Sequence, residues 1–97
     1  MATYLLVTLN IHDPSWVENY LAHVPAILRS YGGEYFAVSS RVKRYEGKGP
    51  VPDQVVLFTF PSTEAIDAFM ACPEYAPYKE ARIACATTDI LAFDTKA

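Results

Sequence analysis

The chain has 97 residues, enough for one domain and too few for a second core. Apolar residues make up 52% of it, which permits a packed core and argues against disorder. The formal net charge is −3 with no basic stripe, which excludes nucleic acid as an expected partner.

No stretch reaches the length of a membrane span, and MATYLLVTLN carries neither a basic leader nor a small-residue cleavage site. The expectation is a cytoplasmic protein with no membrane partner. Cys72 and Cys85 are the only cysteines and read as free thiols in a reducing compartment. His12, His23 and those cysteines stand at no recognised zinc spacing, so no metal is expected, and no tightly held cofactor either.

Residues 4–12 (YLLVTLNIH) alternate. Leu5, Val7, Leu9 and Ile11 form an apolar face, and Tyr4, Leu6, Thr8, Asn10 and His12 form a mixed one, which predicts a strand. Asp13-Pro14 opens a helix: the carboxylate accepts from free N–H groups, and proline suits the first position. Trp16, Tyr20, Val24, Ile27 and Tyr31 follow at helical spacing. Pro25 falls within that run and predicts a kink or break near Ala22. Gly32-Gly33 ends the helix, with one glycine left-handed.

Residues 34–39 (EYFAVS) form a second strand, with 41–46 (RVKRYE) prolonging it past a bulge at Ser39-Ser40. Residues 47–53 (GKGPVPD) are a loop. Residues 54–60 (QVVLFTF) form the third and most apolar strand. Ser62 caps a second helix that buries Ile66, Phe69 and Met70. CPEYAPYKEAR, residues 72–82, predicts a short extra helix with Cys72 as its cap and Pro73 at its first position, and residues 88–93 (TDILAF) a fourth strand.

This order predicts an α+β, ferredoxin-like βαββαβ domain: a four-stranded antiparallel sheet with two main helices on one face, plus the short extra helix. Such a sheet exposes its other face, which is ordinarily polar. Here both faces are apolar, since Val55 and Leu57 alternate with Val56, Phe58 and Phe60, and Tyr35 and Ala37 with Phe36 and Val38. A second copy is the simplest cover, so a homodimer is expected, with two sheets face to face as a dimeric α+β barrel.

The runs DPSWVENYLAHVPAILRSYGGEYFA, YEG, VVLFTFPSTEAIDAF and CPEYAPYKEAR, at their joint spacing, resemble the DUF1330 family over nearly the whole chain. That family belongs to the dimeric α+β barrel superfamily, which also holds cofactor-free monooxygenases, muconolactone-type isomerases and haem-handling enzymes. No activity is established for the family in general, so the resemblance implies a fold and not a reaction. The chain departs from the family in having Cys72 where serine is usual, and Ser39-Ser40 where glycine is usual.

Two readings of residues 72–82 stand open. In one, Tyr75, Tyr78 and Arg82 pack one side of the helix, and Arg82 ties to a carboxylate such as Glu46. In the other, Arg82 anchors an anion at the mouth of a cleft, with tyrosine hydroxyls as donors. His12 is a candidate base beside Asn10 and Thr8, and its alternative is a strand-end histidine bonded to Asp13 or water. The candidate site is therefore His12 as the catalytic group, with Asn10, Tyr75, Arg82 and Glu46 binding a small organic ligand. Whether the protein is an enzyme stays open. The rival to a small-molecule site is a non-catalytic dimer whose product is the assembly itself.

Overall fold

A computed structural model describes residues 2–95. Strand β1 (Thr3–Ile11) leads through a 3₁₀ turn (Pro14–Trp16) into α1 (Val17–Ser30). Strands β2 (Glu34–Ser39) and β3 (Gln54–Phe60) follow, then α2 (Thr63–Ala71), α3 (Ala76–Cys85) and β4 (Ala86–Asp94). The strands form one antiparallel sheet in the order β2-β3-β1-β4, the ferredoxin-like arrangement predicted from the element order.

β1 and β3 are the two interior strands, as the βαββαβ connectivity requires, and β1 alternates most regularly. Leu5, Val7 and Leu9 are buried on the helix side, and Leu6 and Thr8 between them point the other way. The register carries this alternation across the sheet. Val7 stands opposite Val56 and Ile90, and Leu6 opposite Leu57 and Leu91. Against the buried face lie Trp16, Val24 and Leu28 with Ile66, Phe69 and Tyr75. Val24 and Leu28 are each 1% exposed, so truncating Leu28 would cost about 2–5 kcal/mol.

The helix entrances follow their caps. Asp13 accepts from Ser15 N at 2.9 Å, which holds its carboxyl below the usual carboxylate range, and Ser62 accepts from Ala65 N at 3.1 Å. Gly32 takes φ +84° at the end of α1, where a side chain is disfavoured.

Four local expectations are corrected. Pro25 does not break α1, which runs unbroken from Val17 to Ser30; Val24 beside it is buried, and that packing outweighs one lost hydrogen bond. The bulge in β2 lies between Tyr35 and Ala37, not at Ser39-Ser40, so Phe36 is the extra residue and turns outward. Residues 41–46 are not strand; Arg44 instead bonds back to the Glu46 and Pro50 carbonyl oxygens. Finally, Cys72 is the C-cap of α2 and α3 begins at Ala76, with Pro77 in its first turn. Pro73 explains this, because the residue before a proline is driven to extended backbone, and Cys72 has ψ 143°. Pro73 thus stops one helix and does not start the next. The extra helix has 10 residues and is not shorter than α2, which has 9.

Candidate active site between sheet and helices

The helix-side face of the sheet does not close fully on its helices. A cavity of about 190 Å³ remains, floored by Leu5, Val7, Val56 and Phe58. It reaches the surface at Leu21 and Val38, both more than half exposed. The walls are mostly apolar; besides the Gln54 amide at the start of β3 and the Trp16 indole, a small polar group comes from three elements. Tyr20 comes from α1, Tyr35 from β2, and Tyr75 and Arg82 from the start and last turn of α3.

The geometry of that group is specific. Tyr20 Oη lies 2.7 Å from Tyr75 Oη, and Arg82 Nη2 donates to Tyr75 Oη over a long 3.5 Å. Phe69 stacks on the Tyr75 ring with centroids 4.4 Å apart, which fixes the ring that both partners use. Arg82 is only 4% exposed, and among the described residues no carboxylate forms an ion pair with it.

Burial, then the neighbouring Tyr75, pushes the Tyr20 hydroxyl far above the usual phenol range; the Arg82 charge opposes this and does not prevail. Burial followed by Tyr75 raises Tyr35 as well. The Tyr20 and Tyr35 hydroxyls are therefore neutral donors near neutral pH, and Arg82 is the only Arg, Lys, His, Asp or Glu in the described lining. Among the described lining residues there is no histidine, carboxylate, lysine or cysteine. The site offers a cation, proton donors and an apolar wall, and no base.

Of the residues singled out in the sequence, Tyr75 and Arg82 meet here. Asn10, His12 and Glu46 do not join them. Asn10 belongs to the alternate set of β1, on the face away from the helices, and its Oδ1 accepts from Asp53 N at 3.2 Å. His12 is exposed past the strand end, with Nε2 2.7 Å from Thr87 Oγ1 and its backbone N–H donating to Cys85 O. Glu46 lies in the exposed loop, far in character from the buried Arg82 that it was expected to meet.

Tyr20, Tyr35 and Trp16 were legible only as core positions. The available signal was that each carries a polar atom on an otherwise apolar stripe or strand, and such an atom needs a partner when buried. His23 stays outside the site: it is exposed, its Nδ1 bonds to Asn19 O at 2.9 Å, and its ring stacks on Tyr78.

The opposite face of the sheet is apolar and open. Tyr4 stacks on Phe93 at 5.4 Å and meets Phe36 edge-on at 5.8 Å, and Leu91 beside them is 65% exposed.

Residues 2–95 match the family model described as Domain of unknown function (DUF1330). No curated protein matches the chain. Among solved structures, the chain is similar to RPA0582, a protein of unknown function from Rhodopseudomonas palustris, with TM-score 0.77 and 16% identity over 99% of this chain and 83% of that one. It is also similar to SnoaB, a cofactor-independent oxygenase from Streptomyces nogalater, with TM-score 0.70 and 16% identity over 99% and 94%. A dimeric ferredoxin-like protein of unknown function from Jannaschia sp. has TM-score 0.64 and 16% identity over 98% and 100%. At such identities the likeness is one of fold.

Proposed function

The chain belongs to the DUF1330 family, and from that premise we propose that it is a homodimer that binds, and under suitable chemistry converts, a small organic molecule in the cavity between sheet and helices. The observation that carries the reading is the cavity itself. Apolar pockets with a few convergent polar groups are where proteins take up small organic molecules, and a dry cavity of about 150 Å³ suffices for benzene. One of about 190 Å³ suits a single substituted ring.

The open sheet face supports the dimer. Phe36, Leu91 and Phe93 are about half exposed or more, a patch that a second copy of the same sheet would cover. The fold is shared with a protein described as dimeric and with one described as a cofactor-independent oxygenase, which is compatible with both parts of the proposal. The lining without a base favours binding and orientation over proton abstraction. Any turnover would draw on the ligand's own reactivity, with tyrosine hydroxyls and Arg82 stabilising negative charge as it develops.

Backbone-amide NMR during titration with phenylacetate, phenylacetamide and ethylbenzene tests the reading. Shifts confined to Val7, Tyr35, Val56, Ile90 and their neighbours are expected for at least one of them. Failure of all three to perturb those residues at millimolar concentration rejects a ligand cavity.

A further inference from the structure

Resting on that reading, we infer that the ligand carries a single negative charge, a carboxylate on a flat apolar body, and that Arg82 together with Trp16 receives it.

A guanidinium has five N–H donors and is charged at any physiological pH. That of Arg82 is buried, and among the described residues its one side-chain hydrogen bond is the long contact to Tyr75 Oη. Removing a charge from water costs several kcal/mol unless a counter-charge and hydrogen bonds offset it. No carboxylate among the described residues supplies the counter-charge. Tyr20 and Tyr35 cannot supply it as phenolates, since burial holds both in their neutral forms. The cation is therefore a structural deficit that an incoming anion completes.

Trp16 is an independent second observation. It lines the same cavity and is 9% exposed, and its indole Nε1 is buried with no hydrogen-bond partner among the described residues. Buried indole N–H groups normally have an acceptor. An unpaired cation and an unpaired donor in one lining both call for acceptor oxygens.

The charge count selects the group. With one cation and otherwise uncharged side chains in the lining, a singly charged head is matched, whereas a phosphate monoester would bring a second, uncompensated charge. A planar carboxylate also suits the paired N–H donors of a guanidinium. Apart from the neutral Gln54 amide, the remaining wall, with Leu5, Val7, Val56, Phe58 and Ile90, is apolar, so the body of the ligand is largely apolar.

The test uses the full chain and three molecules of one shape: phenylacetate, phenylacetamide and ethylbenzene. Wild type should bind phenylacetate about ten- to a hundredfold tighter than the amide, the range for a hydrogen bond to a charged group. The Arg82 Nε–H resonance should shift with the acid and not with the amide. Arg82→Met, close in length and apolar, should reduce the preference to within about twofold while the amide still binds. Equal affinity of wild type for acid and amide overturns the carboxylate assignment and leaves the cavity reading intact. If none of the three binds, the cavity reading falls and takes the assignment with it. Should Arg82→Met not fold, the wild-type preference and the Arg82 resonance still decide. Trp16→Phe, which removes the indole donor together with part of the ring, should weaken the acid more than ethylbenzene, which feels only the lost ring area; equal weakening of both removes Trp16 from the assignment.

Discussion

Tyr20 and Tyr75 join α1 to the start of α3 through a hydroxyl-to-hydroxyl contact of 2.7 Å. The pair closes one wall of the cavity and presents Tyr75 Oη to Arg82. Loss of either hydroxyl leaves the other without its partner. Tyr20→Phe and Tyr75→Phe should each destabilise by about 1 kcal/mol, and the double variant should cost less than their sum. Urea denaturation of the four proteins measures the coupling; strict additivity would show that the contact contributes nothing.

The same pair predicts a pH dependence. The Tyr20 hydroxyl holds its proton more tightly in the folded protein than in the unfolded chain, chiefly through burial. Its contribution is complete below the unfolded value of about 10 and is lost as pH rises beyond it. Stability should therefore fall above about pH 10, and Tyr20→Phe should remove part of that fall. Tyr35, raised in the same direction, accounts for another part. Denaturation midpoints from pH 8 to about 11 check the sign; a slope unchanged by Tyr20→Phe would count against it.

On the open face, Leu91 is 65% exposed in a single chain and stands opposite Leu6 across the register. The proposed homodimer would bury at least about 800 Å² per copy. Leu91→Lys should weaken association by roughly thirtyfold or more and leave a folded chain. Sedimentation across low micromolar concentrations measures this. A wild-type protein that stays monomeric there would remove the dimer altogether.

Cys72 is 5% exposed and ends α2, its N–H donating to Phe69 O at 3.3 Å. As an N-cap it would gain from serine; as a buried C-cap it gains nothing. Its thiol is buried beside the Tyr31 hydroxyl and otherwise in apolar packing, so Cys72→Ser should lower stability by about 1 kcal/mol, the low end for burying a hydroxyl. Equal or greater stability in urea would mean that the hydroxyl finds an acceptor there.

Gly33 is needed for space. A Cβ there would lie 2.7 Å from Phe60 Cζ and 2.8 Å from Leu28 Cγ, two side chains fixed in the core. Gly33→Ala should cost about 1–3 kcal/mol by overpacking. Thermal unfolding would register this as a lower Tm with unchanged cooperativity, and an unchanged Tm would show that α1 can shift.

Local chemistry settled much of the fold in advance. The alternation in β1 and β3, the Asp13 and Ser62 caps and the Gly32 stop act over a few residues, and each element formed where they stand. The apolar character of both sheet faces was likewise legible, because period two assigns every strand residue to a side. Tertiary structure decided the rest. Two prolines, Pro73 and Pro77, both suit a helix start; the extended backbone that Pro73 imposes on Cys72 ends α2 there, and Pro77 falls in the first turn of α3, with Tyr75 between them bonded to Tyr20 of α1. The site divided for a similar reason. Asn10 and His12 are neighbours of the apolar face in sequence, yet alternation turns Asn10 to the far side of the sheet from Arg82, and His12 lies exposed past the strand end. Arg82 looked like a surface partner for Glu46, because charge alone says nothing about burial. Its place beside Tyr75, seven residues away at helical spacing, was legible, but the meeting of that pair with Tyr20 joins residues 55 or more positions apart along the chain, a relation that no local pattern encodes.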